Sequence, residues 1–267
     1  MLLVLGASTV LYAVPAWALL LVAITAAAAA AAVAHVAIRR RFARVNFRDY
    51  NDVGGIVLGV VGGLFGVTLA FIIAIVWQEF DGTAQRVAVE AAAATDLWHV
   101  ARGLPAPLGP EVRANLVGYA ELMVHDEWPA MRSGRSSARA ESLLTRTFED
   151  VAQFRPHDAG AANAQSAALT YVGLLHDSRH RRIDDNNSGV SPFEWTILLI
   201  GALVMVSLCF LVGLPNLRAQ LLMTGAVAAM IATMFVLIFE LDYPFRGDLS
   251  VAPSGWEEFI VTNRSAL

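Results

Sequence analysis

The sequence contains no lysine: all 19 of its cationic residues are arginine. With its excess of alanine, this reads as genome composition and not as chemistry. A second cysteine is also missing. Cys209 stands alone in an apolar run, so no disulfide framework is possible and the redox compartment is not indicated. The formal net charge is −4, and no basic patch interleaved with aromatics occurs, so no nucleic-acid partner is expected. There is no Gly-x-Ser-x-Gly, no phosphate-cradling Walker loop, no nucleophile beside a paired His and Asp, and no dinucleotide fingerprint. Neither an enzyme nor a cofactor is therefore expected. Alternating β patterns, Asn-Gly hairpin turns and internal repeats are absent as well. Charge itself is scarce, at 16% against roughly a quarter in soluble domains. Hydrophobic residues make up 57%. The balance is that of a membrane protein.

The chain is organised around residues 54–90. The first part, 54–77, is uncharged and long enough to cross a bilayer, which takes about 20 helical residues. Gly55, Gly59, Gly62 and Gly66 recur on one helix face, where close backbone approach would supply packing that apolar burial cannot supply in lipid. The opposite face carries Val60, Leu64, Val67 and Phe71. Without a proline, the segment then runs into Glu79, Asp81, Arg86 and Glu90. This predicts one helix that leaves the membrane and continues into a polar domain.

Around that axis the chain predicts an all-α integral membrane protein with four transmembrane helices and an inserted helical soluble domain. Residues 1–77 read as a transmembrane hairpin, with helices at 14–38 and 54–77. Residues 13–18 have the small side chains of a signal cleavage site, but no positive segment precedes them and the apolar stretch runs on, so a retained first helix is expected. Arg39, Arg40, Arg41, Arg44 and Arg48 make a basic hairpin connector of the kind that fixes orientation, which is also compatible with contact to anionic lipid. Residues 78–192 read as the soluble domain, with helices broken near Pro105 and stopped by Pro129. Residues 193–240 read as a second hairpin, with helices at 193–214 and 220–239. Residues 241–267 read as a turn segment and tail without a helix. The positive-inside rule does not orient the chain, because arginines near the membrane ends balance on the two sides.

Other constellations have plain readings. His176 and His180 share a helix face as zinc pairs do, but Arg179, Arg181 and Arg182 surround them and no third ligand follows, so a solvated basic face is expected and no metal. Asp184, Asp185, Asn186 and Asn187 lack calcium-loop spacing and read as a polar turn. Trp128, beside Glu127, reads as an anchor.

The N-terminal hairpin, the stretch 69–80 (LAFIIAIVWQEF), Glu127-Trp128-Pro129 and the paired C-terminal helices ending in 241–247 (LDYPFRG) resemble the bestrophin-like domain family of bacterial membrane proteins. The most specific part is the Pro-Phe-x-Gly element. Bestrophins proper, more distantly similar, are pentameric anion channels whose neck is lined by apolar side chains of the second helix. The resemblance thus implies a multi-pass protein of the cell (inner) membrane, partnered by the lipid bilayer and by ions. It implies a homo-oligomer, a pentamer by the same resemblance, with the soluble domain inside the cell. By position, Leu64, Val67 and Phe71 are the pore or neck candidates. Glu240, Asp242, Pro244, Phe245 and Gly247 are the assembly-turn candidates. A non-conducting membrane scaffold or sensor, whose helical domain binds a partner, is the other reading.

Overall fold

The structure is a computed structural model that describes residues 11, 12 and 14–266. Among the described residues it is all-α, with no strand. In chain order the α-helices are α1 (Ala16–Arg41), α2 (Asn51–Val100), α3 (Leu108–Leu122), α4 (Trp128–Met131), α5 (Ala138–Gln153), α6 (Ala159–Asn187), α7 (Pro192–Leu211), α8 (Leu217–Asp242) and α9 (Ser254–Asn263). Four of them, α1, α2, α7 and α8, are long and apolar enough to cross a membrane. The chain divides into two compact units. A membrane unit takes residues up to 78, 190–242 and 247–249; a polar unit takes 79–189, 243–246 and the residues from 250 onward. The helix α2 is continuous through the point where the two meet in sequence.

The membrane unit is held by small residues and by caught helix ends. Alanine-rich α1 packs along α8, where a Cβ on Gly225 would lie 3.7 Å from the Ala28 Cβ. α2 meets α7 through two reciprocal notches. The Phe65 ring fills the space over Gly201, where a Cβ would come within 2.5 Å of it, and Met205 lies over Gly62. Of the four glycines expected to pack, Gly62 alone does so within the chain; a Cβ at Gly55, Gly59 or Gly66 would meet nothing within 4 Å.

The helix ends show why chain breaks fall where they do. Pro192 starts α7 at a position whose N–H would be unpaired anyway, and Ser191 and Glu194 form a reciprocal capping box. Between α7 and α8, Asn51 accepts from the Gly213 N–H at 2.7 Å and donates back to the Gly213 carbonyl at 3.0 Å. Arg39 Nη2 and Gln220 Nε2 both donate to the Val212 carbonyl. Gly213 must be glycine, since a Cβ would stand 2.7 Å from the backbone of Phe47 and Arg48.

The polar unit has one core, built by inner stripes at helical spacing. α2 contributes Val87, Ala91, Ala94, Leu97, Trp98; α3 contributes Val112, Leu116, Tyr119 and Ala120; α6 contributes Ala168, Val172 and Leu175. Ser137 caps α5 and Asp158 caps α6 through their side chains.

Several expectations are corrected. Pro129 does not stop its helix: a π turn over Met123–Glu127 lets the Trp128 N–H bond back to Met123, and α4 continues with Pro129 in its first turn, where no N–H is missed. Asp184 to Asn187 lie inside α6 and not in a turn, because Asp185 pairs with Arg86 at 2.7 Å and buried Asn186 faces inward. The tail carries a helix, α9, since Trp256 and Phe259 give it an apolar side; Tyr119 stacks edge-on against Trp256 at 5.4 Å and Trp98 against Phe259 at 5.9 Å.

Gly201→Val should lower the thermal midpoint of the detergent-solubilised protein markedly, by an overpacking cost of about 1–3 kcal/mol. Gly173→Ala, in open space on α6, should leave the midpoint unchanged or raise it slightly. Thermal unfolding of the two variants beside the parent is the check.

Candidate functional site

Within the membrane unit, α2 buries one side and bares the other. Leu69 and Val76 are buried, while Leu64 is 70% exposed, Val67 55% and Phe71 66%. At 100° per residue the exposed strip points roughly 160° away from the buried one. The three neck candidates therefore lie together on a face that the chain's own helices leave uncovered. Val60 and Ile75 extend it in both directions. Gly55, Gly59 and Gly66 lie between the two sides and are also uncovered.

The assembly-turn candidates are placed by the chain's own contacts. In the membrane unit, Glu240 is buried and its Oε2 accepts from the Asp248 N–H at 3.3 Å. Gly247 has φ +72°, and a Cβ there would come within 2.7 Å of that same Oε2, so both conformation and space demand glycine. Asp242 accepts from the Val190 N–H, and Asp248 from the Ala16 N–H at 2.7 Å. In the polar unit, the Pro244 carbonyl accepts from the Val251 N–H at 2.8 Å. Phe245 is buried edge-on against Trp128 at 5.7 Å, and the Trp128 indole donates to the Val251 carbonyl at 2.9 Å. Arg246 stacks on Tyr243 and donates to the Asn186 carbonyl at 3.2 Å. Among the described residues, no group of three or more His, Cys, Asp or Glu is placed to hold a metal ion.

The polar unit also buries a charge network that the sequence reading missed. Arg182 and Glu90 are both fully buried and form a two-pronged pair, Nε to Oε2 at 2.6 Å and Nη2 to Oε1 at 3.1 Å. Arg182 also reaches Glu127 Oε1 at 3.4 Å and lies 4.9 Å over the Trp128 ring. Arg179 binds the other oxygen of Glu127 at 3.1 Å and pairs with Glu141. The Ser137 N–H adds a bond to Glu127 at 2.7 Å. Burial opposes the Arg182 charge, but Glu90 more than offsets it and holds the guanidinium above its ordinary value. Burial, and then Glu90 beside it, push the Tyr119 phenol well above its ordinary value, so it stays a proton donor toward Glu90.

The basic face expected on α6 is thus corrected: His180 and Arg181 are exposed, whereas Arg179 and Arg182 are interior. The signal was present in the spacing. Ala168, Val172, Leu175, Arg179, Arg182 and Asn186 follow one another by three and four, so the two arginines continue an apolar stripe. Glu90 falls likewise beside Val87, Ala91 and Ala94.

A family model described as Bestrophin-like domain matches residues 25–256. No curated protein matches the chain. Among solved structures, the chain is similar to a crystal structure of a mutant bacterial bestrophin homologue from Klebsiella pneumoniae, with 12% identity and a TM-score of 0.67 over 91% of this chain and 98% of that one. A second mutant of that homologue aligns with 14% identity and a TM-score of 0.58, over 92% of this chain and 96% of that one. At such identities the likeness is one of fold.

Arg182→Met should destabilise the protein by about 3–5 kcal/mol, because it leaves Glu90 buried without its partner. Arg181→Met, on the exposed side of the same helix, should cost no more than about 0.5 kcal/mol. Replacing Glu90 and Arg182 together by Leu should recover part of the loss, as a thermal double-mutant cycle would show.

Proposed function

The chain belongs to the bestrophin-like domain family, and on that premise we propose that it is a homo-oligomeric ion channel of the cell (inner) membrane with α2 lining the pore. The observation that carries the reading is the uncovered apolar strip Leu64–Val67–Phe71 on the side of α2 turned away from its own bundle. Copies arranged around an axis would turn these strips inward. Gly55, Gly59 and Gly66 would then offer bare backbone to the neighbouring copy. A ring of such side chains conducts when wetted and closes by dewetting, so the absence of charge is compatible with a pore.

Anions are the class implied by similarity to bestrophins proper, and a pentamer is implied in the same way. In this reading residues 1–77 and 193–240 form the conducting part, 78–192 the soluble domain inside the cell, and 241–267 a turn segment that contributes to assembly through Glu240, Asp242, Pro244, Phe245 and Gly247. The alternative is a non-conducting scaffold or sensor. It is favoured by the fact that the strip stays apolar from Val53 to Ile75, as a lipid-facing side would.

Native mass spectrometry of the protein released from nanodiscs separates the two. A single pentameric species is expected, and a monomer or dimer would sink the channel reading, since one helix per copy could not then enclose a pore. In reconstituted bilayers, Leu64→Ala with Phe71→Ala should raise unitary conductance several-fold; an unchanged absence of current in parent and variant would count against conduction.

A further inference from the structure

At one end of the membrane unit, the C-terminal ends of α1 and α7 and the first turns of α2 leave an open apolar groove of about 570 Å³. Phe42, Val45, Phe47, Val57, Phe210 and Leu211 are among its walls. Polar side chains contribute little to it, and it lies where the apolar run of α1 ends in Arg39, Arg40 and Arg41.

The walls of the groove carry cations. The Arg41 guanidinium lies 5.7 Å over the Phe42 ring, and that of Arg39 lies 4.1 Å over the Phe47 ring. Both rings line the groove, so two guanidiniums stand on its rim. Arg44 and Arg48 flank the lining residues Val45 and Phe47 along the same connector. Arg40, Arg41, Arg44 and Arg48 are exposed, and among the described residues none of them makes an ion pair. Asp49, the acid of the connector, is engaged by Asn46 at 2.8 Å. In the polar unit the buried Arg179 and Arg182 are matched by carboxylates; here several exposed positive charges stand without an ion pair beside an apolar slot.

We infer that this groove is a binding site for an anionic phospholipid, whose acyl chain lies between Phe42, Val57 and Phe210 and whose phosphate is held by Arg41, Arg44 and Arg48. A zwitterionic lipid would fill the slot but bring a cationic group toward the arginines. A second copy of the chain would need a carboxylate-bearing apolar segment to match both the slot and its rim. The site is independent of conduction: it needs no pore, and its failure would leave the channel reading untouched.

The test is native mass spectrometry of the full-length protein, titrated with dioleoyl phosphatidylglycerol or dioleoyl phosphatidylcholine. The expected result is retention of phosphatidylglycerol at least several-fold above phosphatidylcholine. Arg41→Gln, Arg44→Gln and Arg48→Gln combined should bring the two lipids level, and Val57→Trp, which fills the slot, should lower both. The arginine variant changes exposed side chains only and carries the test if Val57→Trp fails to fold. Equal retention of both lipids by the parent would overturn the proposal, as would a phosphatidylglycerol preference that survives the arginine changes. A photo-crosslinking residue in place of Val45 should capture lipid; capture of a second copy of the chain instead would overturn it.

Discussion

In hydrocarbon, a backbone N–H or C=O left unpaired costs several kcal/mol, and everything in the membrane unit follows from the need to avoid that. Helices meet the requirement along their length but not at their ends. The ends are therefore where backbone groups call for polar side chains. Asn51 brackets the Gly213 peptide from both sides, and Arg39 and Gln220 converge on the Val212 carbonyl. Ser191 and Glu194 close the start of α7. These side chains are few, and each is spent on a chain break. Between the breaks, packing relies on close approach, as where Phe65 enters the notch of Gly201.

The polar unit meets the same demand with charge. Burying Glu90 and Arg182 costs a great deal in desolvation, and the pair offsets it only because nearly every nitrogen and oxygen has a partner. Glu127 is the hub: it accepts from Arg179, Arg182 and the Ser137 N–H, so α6 and the start of α5 converge on it. The π turn that contains Glu127 turns it inward while letting the helix run on through Pro129. Such a network contributes specificity of arrangement more than net stability, since an apolar core of the same shape could be as stable.

Much of the fold was legible in the residues. Long uncharged runs read as spanning helices because a bilayer demands that length, and the break in composition after Trp77 marked where the polar helical segment begins. The Leu64, Val67 and Phe71 strip was readable as a face because helical periodicity fixes which side chains share a side. The glycines were not readable in the same way. Their pattern announces a close approach but not its partner, and within this chain Gly62 is covered while Gly55, Gly59 and Gly66 are bare. Arg179 and Arg182 misled for a related reason: in a sequence, an arginine among other charges looks solvated, and its buried carboxylates stand 52 and 92 positions away.

By itself, the sequence determined the class of protein, the number of spanning helices, and the faces those helices present. These depend on local quantities, namely run length, period and the residues that break a helix. Only the tertiary structure decided which faces are covered, that Trp256 and Phe259 turn the tail into a core helix, and that two arginines of α6 are interior. It also brought Phe42, Phe47, Val57 and Phe210 to one slot, with Arg39 and Arg41 against two of its rings. Those outcomes rest on contacts between residues far apart in the chain, whose pairing a local pattern does not encode.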